Sequence, residues 1–219
     1  MSGPEPRVGS RLDRVRRILW LVLAANLFVV LVKLFVGLRA GSLAVLGDAA
    51  HSGVDAMNNV VGLLAVNVAA EPPDEEHPYG HGKYETLAAL AVVSFLSIAG
   101  FELVSGAIGR LFGSTPPPQV DSLTCVLLGG TMIVNTLVAT AESRAAGRLR
   151  SPLLSAEARH TASDVLVTLS VIGGLGLVAL GWDDADAWLA IVVAALIARS
   201  GWVILRGTIP VLVDSRAIE

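Results

Sequence analysis

Two five-residue segments, His51-Ser-Gly-Val-Asp55 and His160-Thr-Ala-Ser-Asp164, carry the same two ionisable residue types at the same spacing. Four residues apart on a helix, a histidine and an aspartate share one face. Together the segments supply two imidazoles and two carboxylates, a complete tetrahedral set for zinc or a similar divalent ion. Either pair alone has a plainer reading, a histidine donating to its own i+4 carboxylate. Two such pairs among only four histidines favour a shared cation. The other two, His77 and His81, lie with Asp74 in an acidic stretch. That stretch reads as a second cation site, as an electrostatic funnel for divalent cations, or as a solvated turn. Asp48, three residues before His51, reads as an acceptor that polarises the ring or as the lining of an outer vestibule, with capping near the helix start as the alternative. Glu102 is a lone carboxylate that reads as a cavity or helix–helix contact.

The elements that must position these groups are hydrocarbon. Of 219 residues, 53% are apolar and only 16% charged, against about 25% charged in soluble domains. Runs of about 20 apolar residues are the minimum for a spanning helix, and six occur, at roughly 18–38, 43–69, 86–109, 120–141, 158–181 and 185–206. The chain is read as an all-α integral membrane protein, a six-transmembrane-helix bundle. Its parts are a cytoplasmic N-terminal segment over 1–17, the bundle over 18–206 and a short cytoplasmic tail over 207–219. The first run is a span rather than a secretory signal: it exceeds the 7–15 residues of a signal core and contains Asn26 and Lys33.

Basic residues set the orientation. Arg7, Arg11, Arg14, Arg16 and Arg17 precede the first span, Lys83 lies between the second and third, and Arg144, Arg148, Arg150 and Arg159 between the fourth and fifth. The other side holds only Arg39 and Arg110, so by the positive-inside rule both termini are cytoplasmic. Trp20, Trp182 and Trp202 fit interfacial belts. The single cysteine, Cys125, excludes an intramolecular disulfide and a multi-cysteine zinc site and reads as a small buried apolar side chain. Gly129, Gly130, Gly173, Gly174 and Gly176 read as close-packing positions. Counting about 20 residues inward from Trp182 puts part of Ser155–Asp164 at membrane depth, where polarity is tolerated only facing protein or a wet cavity.

With these residues in view the chain resembles the cation diffusion facilitator family of divalent-metal/proton exchangers. The resemblance rests on GSLAVLGDAAHSGVD, HPYGHGKYETLAAL, HTASD and LVDSRAIE, in that order. It implies a transport site on His51, Asp55, His160 and Asp164, and a loop site matching Asp74, His77 and His81. Members with a histidine–aspartate pair on both spans look zinc-preferring, often with cadmium tolerance. The resemblance implies Zn²⁺ as the transported ligand and no cofactor. The implied partners are divalent metal ions, protons, the lipid bilayer and a second copy of the chain in a homodimer, with no nucleic acid. Most members continue into a cytoplasmic, ferredoxin-like metal-binding domain that supports dimerisation, whereas this sequence stops at Glu219.

The activity so implied is zinc efflux by proton-coupled antiport and alternating access, in the inner membrane of a bacterium. Metal ligation needs neutral imidazole and ionised carboxylate, so metal and protons compete for the same groups. An ordinary imidazole titrates near 6.5, within reach of physiological pH. Cadmium, cobalt, nickel, manganese or iron as cargo, a non-transporting membrane metal sensor and an intramembrane zinc enzyme are the alternatives. The last lacks an HExxH motif and an obvious general base, and the chain is read as no enzyme.

Overall fold

A backbone crossing lipid must satisfy its own polar groups, and a helix does so within one segment. The computed structural model describes residues 8–68, 83–113, 116–149 and 152–212. Among the described residues the regular elements are six α-helices: α1 Val8–Ala40, α2 Leu43–Val68, α3 Lys83–Phe112, α4 Ser122–Leu149, α5 Pro152–Ala179 and α6 Ala185–Leu212. The helices overrun several apolar runs, α1 starting well before residue 18 and α6 continuing past 206.

The breaks between helices have local causes. Gly41 and Gly181 hold φ of 65° and 96°, a left-handed conformation that glycine adopts without a Cβ penalty. At the second, the Trp182 N–H donates to the Leu177 carbonyl at 3.0 Å and the Gly181 N–H to Val178 at 2.9 Å, the bond pair that closes a helix C-terminus. Asp121 starts α4 by accepting from the Thr124 N–H at 2.8 Å. Pro152 opens α5, where its missing N–H costs nothing.

The α1–α2, α3–α4 and α5–α6 links meet at one end of the bundle, hereafter the Gly41 end. Arg110 Nη2 donates to the Gly41 carbonyl at 2.7 Å, the Gln119 N–H to Ala40 at 2.8 Å, and Arg39 pairs with Asp121 at 2.8 Å. Asp186, at the start of α6, accepts from Ser42 Oγ and from the Leu43 and Ala44 N–H groups, and pairs with Arg110. Successive helices therefore run antiparallel. α2 packs against α1, α3, α5 and α6, while α3 pairs with α6 and α4 with α5. Residues from all six helices, including Val36, Val45, Val92, Leu128, Val171 and Ile197, build one core.

Polarity is arranged as lipid demands. Leu27, Phe28, Leu31, Phe35, Phe101 and Ile133 are exposed, whereas Lys33, Asp48, Asn135, Glu142 and Thr168 are buried, the reverse of a soluble surface. Among the described residues five helices are long and apolar enough to cross a membrane: 17–40, 89–112, 122–148, 158–179 and 185–210. α2 is not in that group; its sequence carries Asp48, His51, Asp55, Asn58, Asn59 and Asn67 among its apolar residues.

Three packing expectations change. Cys125 is exposed on the outer face of α4, and Glu102 is exposed on α3. Of the five glycines, Gly174 alone packs tightly, its missing Cβ leaving room for Leu189; a Cβ on Gly129, Gly130, Gly173 or Gly176 would meet nothing within 4 Å. The tight contact that matters for α2 is Gly47, where a Cβ would lie 2.6 Å from Leu103 and 3.0 Å from Val193.

Candidate metal centre

α2 and α5 cross antiparallel, and this decides how the two HxxxD segments meet. Equal spacing on opposed strands of chain sets each histidine against the other helix's aspartate. His51 Nε2 lies 3.7 Å from Asp164 Oδ1, and His160 Nε2 lies 2.9 Å from Asp55 Oδ1. The i+4 couple within one helix is thus replaced by two pairs between helices.

Three of the four side chains are buried. His51, Asp55 and Asp164 are each 8% exposed, and one ligand atom from each falls in a group spanning no more than 4.8 Å. His160 joins through Asp55, with its side chain 46% exposed. Zinc bonds of 2.0–2.2 Å in a tetrahedron put ligand atoms about 3.4 Å apart, so the buried trio, within 4.8 Å, reaches that geometry by contracting at most about 1.4 Å. Each of the three also has a buried side-chain atom without a hydrogen bond, His51 Nδ1, Asp55 Oδ2 and Asp164 Oδ1. Such groups cost about 1–3 kcal/mol each when unsatisfied, and a cation held between them would offset that cost.

Asp48 is directed elsewhere. Its Oδ1 accepts from Lys33 Nζ at 2.9 Å and its Oδ2 from Thr168 Oγ1 at 3.0 Å, while His51 Nδ1 has no hydrogen-bond partner. Asp48 is fully buried, so it neither polarises the ring nor lines an open vestibule; the ammonium of Lys33 draws it away. Asp74, His77 and His81 lie outside the described residues.

Two buried groups near the site were not singled out by motif. Lys33 on α1 is fully buried, as is Glu142 on α4, whose Oε2 accepts from Thr161 Oγ1 at 2.9 Å beside His160. Lys33 carried a signal, an ionisable residue inside the apolar run 18–38, whereas Glu142 falls one residue beyond the run 120–141 and carried none.

The sequence matches the cation efflux transmembrane domain over residues 19–213. Magnetosome protein MamB of Paramagnetospirillum magneticum is 30% identical over 204 residues, 93% of this chain and 68% of that protein. Cation-efflux pump FieF of Shewanella oneidensis is 30% identical over 197 residues, 90% of this chain and 66% of the pump. An uncharacterized transporter of Methanocaldococcus jannaschii is 29% identical over 188 residues, 84% of this chain and 65% of that protein. The chain therefore spans about two thirds of the length of these relatives. The apolar helices, the buried acid–imidazole cluster and the match over residues 19–213 agree: the chain is a multi-pass integral membrane protein of the cation diffusion facilitator family.

Proposed function

We propose that the chain is a proton-coupled divalent cation efflux transporter, with zinc as its principal cargo, rather than an enzyme. One observation carries this reading: the antiparallel crossing of α2 and α5 gathers His51, Asp55 and Asp164, each offering a ligand atom within 4.8 Å of the others, and each has a buried side-chain atom without a hydrogen bond. His51, Asp55 and Asp164 hold the ion and His160 completes the set. The two nitrogen and two oxygen donors suit zinc, and a carboxylate-only set would suit manganese or magnesium instead.

Access to the centre is one-sided. His160, toward the end of the bundle opposite Gly41, is half exposed, whereas Lys33, Asp48 and Thr168, one turn toward the Gly41 end, are fully buried. In this reading α2 is the sixth span, both termini and the His160 side face the cytoplasm, as the distribution of arginines favours, and the membrane is a bacterial inner membrane. Zinc enters there, and helices rearrange to open the other side. Protons arriving at the same imidazole and carboxylate atoms release the ion.

The test is zinc flux into liposomes holding the purified chain, with and without an imposed pH gradient. Gradient-dependent flux is expected from the wild type and none from His51→Ala or Asp164→Ala, with circular dichroism showing both variants folded. Equal flux in wild type and variants would refute the assignment.

A further inference from the structure

Lys33 sits where a soluble protein would place leucine, and every one of its donors is used. An ammonium has three N–H donors, and Nζ donates to Asp48 Oδ1, Ser52 Oγ and Thr168 Oγ1, each at 2.9 Å. Thr168 Oγ1 in turn donates to Asp48 Oδ2 at 3.0 Å. Lys33, Asp48 and Thr168 are 0% exposed and Ser52 7%. A carboxylate and two hydroxyls around a buried positive charge form a cage with the composition of a hard-cation site, filled by the chain's own ammonium.

The cage continues the α2–α5 crossing. Asp48 precedes His51 by three residues and Thr168 follows Asp164 by four, so it stands one turn, about 5.4 Å, from the metal ligands on both helices. Asp48 thus adds a third carboxylate, one turn from the metal group, to Asp55 and Asp164, and Lys33 is the cation paired with it. With the ammonium present, the fixed charge summed over Lys33, Asp48, Asp55 and Asp164 is minus two, the complement of a divalent ion. Without it, a third carboxylate would face the centre, and carboxylate-rich sets shift preference toward manganese and similar ions.

Resting on the reading of His51, Asp55 and Asp164 as metal ligands, we infer that Lys33 is a specificity-determining residue: it occupies a cage of Asp48, Ser52 and Thr168, withholds Asp48 from the transported ion and sets the charge of the site. Lys33 touches no metal ligand in the described contacts, and it acts through Asp48.

The test is the affinity of the purified full chain for zinc alone and for manganese alone, by competition with a fluorescent chelator. Lys33→Met should narrow the preference for zinc over manganese at least tenfold. Asp48→Asn, which leaves the ammonium uncompensated, should weaken zinc binding at least tenfold. The double variant should return to within threefold of the wild type for both metals. A packing role alone would lower the melting temperature without this dependence on charge. The inference is overturned if folded Lys33→Met and Asp48→Asn keep wild-type affinities and selectivity. It is equally overturned if neither single variant folds while the double binds as the wild type, since the pair would then serve packing only. If only one single variant folds, its affinity against that of the double decides. A wild-type chain whose zinc binding matches that of Asp164→Asn would instead refute the metal centre itself.

Discussion

Replacing Asp186 by alanine should be the most destabilising single change at the Gly41 end. The carboxylate is fully buried and accepts from Ser42 Oγ, from the Leu43 N–H at 2.9 Å, from the Ala44 N–H at 3.3 Å and from Arg110. It therefore caps α2 from another helix and ties α2 and α3 to α6. Hydrogen bonds to charged groups contribute about 1.5–3 kcal/mol each, but they are not additive and water can enter beside Arg110, whose side chain is 9% exposed. Breaking a buried pair from one side costs about 3–5 kcal/mol, and that range is expected here. The assay is equilibrium unfolding in mixed detergent micelles followed by circular dichroism. A coupling of about 1–3 kcal/mol between Asp186→Ala and Arg110→Met is expected from a double-mutant cycle. The centre lies nine residues beyond Ser42, about 13 Å along α2, so zinc affinity of the folded variant should stay within threefold of wild type. A loss below about 1 kcal/mol, against the 3–5 kcal/mol of a broken buried pair, would refute the claim that this carboxylate locks the bundle.

The Arg39–Asp121 pair at the same end should behave differently, since both side chains are 44% exposed. The Asp121 carboxyl is held below its usual 3.8 by hydrogen bonds from the Thr124 side chain and then its backbone N–H, and by Arg39. A depressed value means a contribution to stability that is present above pH 3.8 and lost as pH falls through the lower folded value. The melting-temperature difference between wild type and Asp121→Asn should therefore close on acidification below that pH, and should shrink in high salt at neutral pH. Gly47→Ala should cost about 1–3 kcal/mol, because its Cβ would lie 2.6 Å from Leu103 and 3.0 Å from Val193. Gly173→Ala, with nothing within 4 Å, should gain about 0.5–1 kcal/mol from helix propensity; thermal melts distinguish the two. His51→Ala should weaken zinc binding more than His160→Ala, since His51 belongs to the buried trio and His160 is half exposed; the reverse order in a chelator competition would refute that ranking.

What was legible in the sequence follows from what each feature depends on. Helix existence depends on local composition, so six apolar runs yielded six helices, with ends shifted by glycine and proline signals that act within a turn. The HxxxD spacing likewise marked His51, Asp55, His160 and Asp164 as one chemical set. Their partners could not be read that way. Whether a histidine pairs with its own aspartate or the other helix's depends on α2 and α5 crossing antiparallel at one register.

Asp48 shows the same limit more sharply. Its neighbours in sequence point to His51, three residues away, but its hydrogen bonds go to Lys33, fifteen residues back, and to Thr168 on another helix. Residue type alone did contain half of that answer. A lysine in the middle of an apolar run cannot stay charged in lipid without a partner, and among the carboxylates of α2 it is Asp48 that faces α1. Cys125, Gly129, Gly130, Gly173 and Gly176 went the other way because small or weakly polar residues are tolerated on either face of a membrane helix, so their type does not determine where they point. Buried charge is the more informative signal in such a chain. Each charge must find a counter-charge, and the helices must cross where it does.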